Sequence, residues 1–211
     1  MIRVLIADDH PIVRAGLTGI VADEADIRII GEAASGDDLL ERVGRLPVDV
    51  VLLDVSMPGP GLIPVLDTLR TTHPSVRVLI LSVHPEEQYA TRALRAGARG
   101  YLTKDHSPTE LVSAIRKVHA GGRYISASLA ERLAAEIGAG ATDALPHERL
   151  SNREFDVLCL LGSGRTVTEI AQLLALSVKT VSTYRSRLLA KLPADTNADL
   201  VRYVVAHGLM R

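Results

Sequence analysis

Through the first 120 residues, short unbroken apolar runs alternate with stretches whose apolar residues recur every three or four positions. Residues 2–7 (IRVLIA), 27–33, 48–55 (VDVVLLDV), 77–83 (RVLILSV) and 99–103 have the length and β-branched content of strands. A run such as VVLL is apolar at consecutive positions, which fits a strand covered on both faces and hence a parallel sheet flanked by helices. The segments near 11–24, 36–45, 61–72, 86–96 and 107–120 carry helical spacing. In the last of these Leu111, Ile115 and Val118 share a face, with Arg116 and Lys117 outside it. Gly97, Gly100 and Gly121–Gly122 supply turns and a helix stop. Five βα units in this length predict an α/β domain with a doubly wound, five-stranded parallel sheet.

The pattern changes after residue 122. Two short helical pieces within 128–137 run into Gly138–Ala–Gly–Ala–Thr142, a composition suited to a flexible joint. From 148 onward the strand pattern is gone, and helices are expected at 152–161, 167–174, 178–191 and 197–207. The expected organisation is therefore an α/β domain at 1–122, a linker at 123–147 and a small all-α domain at 148–211.

Composition narrows the possibilities. A single cysteine, Cys159, excludes an intrachain disulfide framework and a cysteine-rich metal site; lying in the apolar run 155–161, it reads as a core residue. No apolar run approaches the roughly 18 residues needed to cross a bilayer. The start MIRVLIADDH lacks a basic segment followed by a long apolar one, so neither signal peptide nor membrane partner is expected and the chain reads as cytoplasmic. The net charge of -1 divides unevenly: residues 1–147 hold 15 basic and 19 acidic side chains, whereas 148–211 hold 9 and 6. A net of -4 and a net of +3 suit different partners.

Asp8 and Asp9 fall where the first strand ends, and Asp54 at the end of the third. Carboxyl ends of parallel strands share one sheet edge, so the three acids converge. Like charges so placed are tolerated mainly when a cation or proton joins them. Oxygen ligands of this kind suit a hard cation such as Mg2+. Ser82 and Lys104 arrive at the same edge from the fourth and fifth strands, and a hydroxyl and an ammonium beside carboxylates suit an incoming phosphoryl group. The bland alternative is that strand-end aspartates simply cap helices. His10, next to the acid pair, reads as an ordinary loop residue, with modulation of access to the site as the alternative.

These features, with the segment Leu53–Asp54–Val55–Ser56–Met57–Pro58–Gly59 and Tyr101–Leu102–Thr103–Lys104, resemble the receiver domain of bacterial two-component response regulators over residues 1–122. The resemblance implies that Asp54 accepts a phosphoryl group from a phosphohistidine of a sensor histidine kinase. It implies that Asp9, Asp54 and the Ser56 carbonyl hold Mg2+, with Asp8 acting chiefly through a coordinated water. Lys104 would contact the acyl phosphate, Ser82 would reorient towards it, and Tyr101 would swing inward as Ser82 moves. Pro60 in the loop Pro58–Gly59–Pro60–Gly61 departs from the family pattern without touching the acceptor.

In the last 64 residues, Ser151 with Glu154 and Thr166 with Glu169 have capping-box spacing, and Ser177 can cap the helix that follows. Two helices joined this tightly predict a helix-turn-helix, whose second helix commonly enters the major groove. Val181, Leu188 and Leu189 should face the core, leaving Lys179, Ser182, Thr183, Ser186 and Arg187 on the polar surface. A plain three-helix bundle is the alternative on spacing alone. The run Leu150–Ser151–x–Arg153–Glu154, Glu169–Ile170–Ala171–x–x–Leu174, Ser177–x–Lys179–Thr180–Val181–x–x–Tyr184–Arg185 and Lys191–Leu192 resembles the C-terminal DNA-binding domain of NarL/FixJ (LuxR-type) regulators. It implies a recognition helix at 178–190, with Lys179, Thr180, Ser182, Thr183, Ser186 and Arg187 as DNA contacts. It also implies a last helix whose Leu200, Val201 and Val204 contribute to dimerisation. Tyr184 stands where many members carry His, and Pro193 where Gly is commoner.

Together the two resemblances imply a phosphorylation-controlled transcriptional regulator, not a conventional enzyme, that binds double-stranded promoter DNA as a homodimer when active. Two rival classes are an Mg2+-dependent phosphohydrolase using Asp54 as nucleophile and an interaction module whose helical tail binds only protein. The first would need a substrate cap and a second catalytic acid near Asp54, and neither is found in the sequence.

Overall fold

The apolar runs form the strands. In the computed structural model, which describes residues 1–83, 86–127, 129–131, 145–174 and 176–209, these are β1 (Ile2–Ala7), β2 (Ile27–Ala33), β3 (Val50–Asp54), β4 (Arg77–Ser82) and β5 (Gly100–Thr103). They build one sheet of order β2-β1-β3-β4-β5, with every pairing parallel. All five residues of β3 are buried, which is why its sequence is apolar without alternation. At one edge β2 is half-exposed, and its pairing with β1 shifts register between Val4 and Leu5, so that Ile30 is skipped. Strand order reverses between β1 and β3, and at such a switch point the carboxyl ends leave a crevice.

Five helices link the strands: α1 (Pro11–Val21), α2 (Gly36–Val43), α3 (Leu62–Thr72), α4 (Glu86–Arg95) and α5 (Pro108–His119). Proline at the first turn of α1 and of α5 costs no hydrogen bond there. Ser35 caps α2, and Ser107 with Glu110 closes a capping box on α5. Leu111, Val112, Ala114, Ile115 and Val118 of α5 pack on alternate residues of β1, β3 and β4, namely Val4, Ile6, Val50, Leu52, Leu79 and Leu81. Most ends fall within two residues of expectation. The largest difference is α1, expected to reach 24 and ending at Val21, where Ala22 and Glu24 turn back onto Gly19 and Val21 carbonyls.

Residues from 123, expected to begin a linker, stay on the sheet. Tyr124 forms a parallel bridge with Gly100: Tyr101 N donates to Tyr124 O (3.0 Å) and Tyr124 N to Arg99 O (3.0 Å). Gly100 is required there, because an added Cβ would sit 2.8 Å from Tyr124 O. Residues 129–131 are helical, with Leu129 buried. The rest of the two short helical pieces expected within 128–137, the Gly138–Thr142 joint and His84–Pro85 lie outside the described residues.

The chain divides into two units, Met1–Ala141 and Thr142–Arg211. In the second, a 3-10 turn at Pro146–Arg149 precedes α6 (Asn152–Gly162), α7 (Val167–Leu173), α8 (Val178–Lys191) and α9 (Asn197–Ala206). Ser151, Thr166, Ser177 and Thr196 cap the four helices, three of them as capping boxes closed by Glu154, Glu169 and Asp199. Phe155, Leu158, Cys159, Ile170, Val181, Leu188, Leu200 and Val204 are buried. Helices α6 and α9 approach closely at Gly162, where an added Cβ would lie 2.6 Å from Val204 Cβ. Gly162→Ala should therefore destabilise this unit by about 1–3 kcal/mol through overpacking. Gly16→Ala should instead stabilise the first unit by about 0.5–1 kcal/mol, because Gly16 is mid-helix in α1 with nothing within 4 Å of its missing Cβ. Urea unfolding of the two variants, followed by circular dichroism, gives the two signs.

Candidate functional site

The carboxyl ends of β1, β3, β4 and β5 deliver the expected side chains to one sheet edge. Asp8 is 1% exposed, Asp54 6% and Ser82 1%. Lys104, just past β5, is held in place by its backbone N–H, which donates to Ser82 O (2.7 Å). Its Nζ lies 2.6 Å from Asp8 Oδ2 and 2.7 Å from Asp54 Oδ1. The remaining oxygens are also engaged: Ser56 N donates to Asp54 Oδ2 (2.9 Å), and His10 N to Asp8 Oδ1 (2.8 Å). Burial pushes the Lys104 ammonium towards the neutral form, but hydrogen bonds to Asp54 and Asp8, with their charge, outweigh it and raise its pKa above 10.5. Lys104 is therefore a fixed cation at neutral pH.

Asp9 lies beside this triad. Its Oδ1 is buried and takes no hydrogen bond of good geometry, although His10 Nδ1 lies 2.7 Å away. Ligand atoms of Asp8, Asp9 and His10 all fall within 4.8 Å of one another. A buried carboxylate oxygen without a donor, next to further carboxylates, fits a hard divalent cation. Tyr101, whose expected role is to swing inward, is 3% exposed and thus already buried. One contributor, Arg14, escaped sequence reading, and a second, His10, reads first as a loop residue. Arg14 donates to the Asp8 carbonyl (2.8 Å) and pairs with Glu32, and His10 occupies the N-cap position just before α1. Arg14 lies in the first turn of α1 after the acid pair, a position that could have flagged it.

In the second unit the rotation of α8 is fixed by Val181 and Leu188, both fully buried. The opposite face presents Lys179, Ser182, Thr183, Ser186 and Arg187 to solvent, while Thr180 is half-buried. Thr180 N donates to the Ser177 hydroxyl (3.0 Å), so this residue helps to build the cap. Thr183 and Ser186 hydroxyls bond back to the carbonyls of Lys179 and Ser182. The Arg187 guanidinium lies 6.0 Å from the centre of the Tyr184 ring. Lys191, at the end of α8, reaches both carboxylate oxygens of Glu154 (2.8 Å each) and ties it to the start of α6. The dimerisation expectation needs correction for two residues. Leu200 and Val204 are 0% exposed, inside the bundle, and cannot face a partner without unfolding it. Val201 is half-buried, and the exposed apolar residue one turn further on is Val205, at 57%. Val201 and Val205 stand at i, i+4 and share one face of α9.

Comparison with known proteins bears on both units. Residues 4–116 match the response regulator receiver domain, and residues 148–204 match the bacterial regulatory proteins of the luxR family. The chain belongs to the response regulators. Two relatives are the response regulator GacA of Pseudomonas viridiflava, 40% identical over 100% of this chain and 98% of its own length, and UvrY of Escherichia coli K12, 39% identical over 99% and 96%. A structure of the RcsB response regulator of Salmonella typhimurium, solved to study its DNA interaction, aligns with TM-score 0.61 and 28% identity over 97% of both chains. This response regulator thus combines a receiver with a LuxR-type helix-turn-helix, as a DNA-binding transcriptional regulator of a two-component system. Among the described residues no helix is long and apolar enough to cross a membrane.

The Glu154 tie has a pH signature. Burial works against its charged form, but the Lys191 and Ser151 hydrogen bonds prevail, and its pKa lies below the ordinary 4.5. A carboxylate with a lowered folded pKa stabilises the fold above its unfolded pKa and loses that contribution as pH falls through the folded value. The stability gap between wild type and Glu154→Gln should accordingly be full at pH 7 and shrink below about pH 4.5. Thermal melts of the second unit from pH 7 to pH 3 measure it.

Proposed function

We propose that Asp54 is the phosphoacceptor of this response regulator and that a sensor histidine kinase supplies the phosphoryl group. The reading rests on one observation above the others: Lys104 Nζ bridges Asp8 and Asp54 at the switch-point crevice. An Asp54 oxygen would attack the phosphorus of the kinase phosphohistidine. The phosphorus–nitrogen bond breaks, and the released imidazole takes up a proton. Lys104 keeps its own proton and turns from the Asp54 carboxylate to the oxygens of the arriving group. Asp9, Asp54 and the Ser56 carbonyl would hold Mg2+, with Asp8 placed to act through a bound water. When bound, the cation neutralises the carboxylates and the phosphoryl oxygens. Ser82 and Tyr101 are assigned to the response, Ser82 turning towards the new phosphoryl group and Tyr101 occupying the space behind it.

The chemistry is a single transfer onto the protein itself, so the chain is read as a regulator and not as a turnover enzyme. The domain assignment we adopt is a receiver at 1–122, a linker at 123–147 and a DNA-binding domain at 148–211. Helix α8 is the recognition helix. Lys179 and Arg187 provide long cations for phosphates and base edges, Ser182 provides an exposed hydroxyl, and Thr183 and Ser186 provide hydroxyls that can exchange a helix carbonyl for a DNA acceptor. Thr180 acts mainly by fixing the cap. The target is double-stranded promoter DNA, bound in the cytoplasm by a homodimer whose half-sites lie about one helical turn, or a multiple of it, apart. For the dimer contact within the DNA-binding domain, the exposed side of α9 with Val201 and Val205 replaces Leu200 and Val204.

Asp54→Asn should abolish Mg2+-dependent incorporation of phosphate from acetyl phosphate, with the DNA affinity of the unphosphorylated protein unchanged. Joint replacement of Lys179 and Arg187 by alanine should weaken binding to promoter DNA about tenfold or more and lower the salt slope by about 2. Phosphate incorporation retained in Asp54→Asn, or DNA binding indifferent to the double replacement, would contradict the respective assignment.

A further inference from the structure

The basic side chains of α8 are Lys179, Arg185, Arg187 and Lys191, and they are not equally free. Lys191 is engaged by Glu154, and the Arg185 Nε–H donates to Asn197 Oδ1. Arg187 is supported differently. Its guanidinium carbon lies 6.0 Å from the centre of the Tyr184 ring, and among the described residues it forms no ion pair. A ring face orients a guanidinium without using its N–H donors. The ring itself is anchored, because Tyr184 stands three residues after Val181 and four before Leu188, on the flank of the buried stripe, and is half-buried. Side chains on a helix lean towards its N-terminus, so Arg187 reaches back across the ring one turn earlier.

We infer that Tyr184 is a positioning residue for DNA binding, whose ring holds the Arg187 guanidinium, with its donors unused, ready for a backbone phosphate at one wall of the major groove. The inference rests on the proposed reading of α8 as the recognition helix. With about 100° between successive residues, Arg187 falls between exposed Thr183 and half-buried Tyr184, at the edge of the polar face. A residue at that edge meets the groove wall, where the phosphates stand, and a planar guanidinium can bridge two oxygens of one phosphate. An unsupported arginine loses rotamer freedom when it makes such a contact. Tyr184 removes part of that loss beforehand, and leaves the side chain able to adjust because an exposed cation–π contact is weak. A tyrosine that only filled the side of the bundle would act on DNA binding independently of Arg187.

The full chain is titrated by fluorescence anisotropy onto two labelled duplexes, over about 50 to 200 mM salt. One duplex is selected by the wild-type protein from a random library, and the other is its scrambled counterpart. Wild type, Tyr184→Phe, Tyr184→Leu, Arg187→Ala and the Tyr184→Leu/Arg187→Ala double variant are compared. Tyr184→Leu is expected to weaken binding to both duplexes by a similar factor, about threefold to fivefold. Its salt slope stays that of wild type, because Arg187 still neutralises its phosphate. Arg187→Ala lowers the slope by about 1. Tyr184→Phe binds as wild type, and adding Tyr184→Leu to Arg187→Ala weakens binding no further. Four results each overturn the assignment of Tyr184: unchanged affinity in Tyr184→Leu, a Tyr184→Phe as weak as Tyr184→Leu, the same loss in the Arg187→Ala background, or a loss confined to the selected duplex. Arg187→Ala without effect on affinity or slope overturns the underlying reading of Arg187 as a DNA contact, and the assignment with it. Thermal melts by circular dichroism establish that each variant is folded, and Tyr184→Met takes the place of Tyr184→Leu where the latter is not.

Discussion

Three carboxylates at one sheet edge need compensation, and much of the receiver is arranged around that need. Parallel strands bring Asp8 and Asp54 within reach of a single ammonium, that of Lys104. Two unit charges a few ångströms apart interact by about 4 kcal/mol at an effective dielectric constant near 20. Removing Lys104 would leave a repulsion of that order between neighbours otherwise shielded from water. The position of Lys104 depends in turn on β5, an outer strand, and on the backbone bond to Ser82 O. Four strands (β1, β3, β4 and β5) and the start of α1 must therefore all be formed before the pocket is electrostatically tolerable.

The second unit meets a different constraint, which is to present one face of α8 without ambiguity. Buried Val181 and Leu188 lie seven residues apart, two helical turns, and select that face by burial. The Ser177 cap fixes where the helix begins, and the Lys191–Glu154 contact anchors where it ends. Each anchor is modest, since a cap contributes about 1 kcal/mol and a charged hydrogen bond a few at most. Together they immobilise the helix at both ends, leaving the intervening polar side chains free to adapt to a partner.

The sheet, its helices and the pocket residues were legible because each depends on a local signal. Continuous apolar runs mark buried parallel strands, and the acids stand at strand ends where topology dictates that they meet. The resemblance of both halves to known domains sharpened the roles, but the convergence of Asp8, Asp54 and Lys104 follows from strand order. What was not legible involves contacts without a period. The Gly100–Tyr124 bridge is one residue long, so it leaves no alternation to read. Leu200 and Val204 share helical spacing with Val201 and Val205, and the packing of α9 in the bundle, closest at Gly162 and Val204, decides which pair is sealed. His10 looked like loop because the meeting of its ring with Asp9 depends on the backbone bend at the start of α1.

The same outer strand joins the pocket to the chain that leaves the receiver. Lys104 follows β5, Tyr101 lies within it, and Tyr124 is hydrogen-bonded along its far side. Two backbone hydrogen bonds of this kind contribute about 1 kcal/mol each, net of solvent, and Lys117 lies 5.6 Å from the centre of the Tyr124 ring. The sum is similar to the energy available from moving a partly buried charge by a few ångströms. In the proposed function, Lys104 transfers its contact from a carboxylate to a phosphoryl group carrying more negative charge, so β5 experiences a change of that magnitude. A contact much stronger than this would hold Tyr124 whatever happened at Asp54, and a much weaker one would leave it undocked in both states. A docking strength of about 2 kcal/mol lies between those limits, which is the condition for the receiver's outer edge to respond to the chemistry of its pocket.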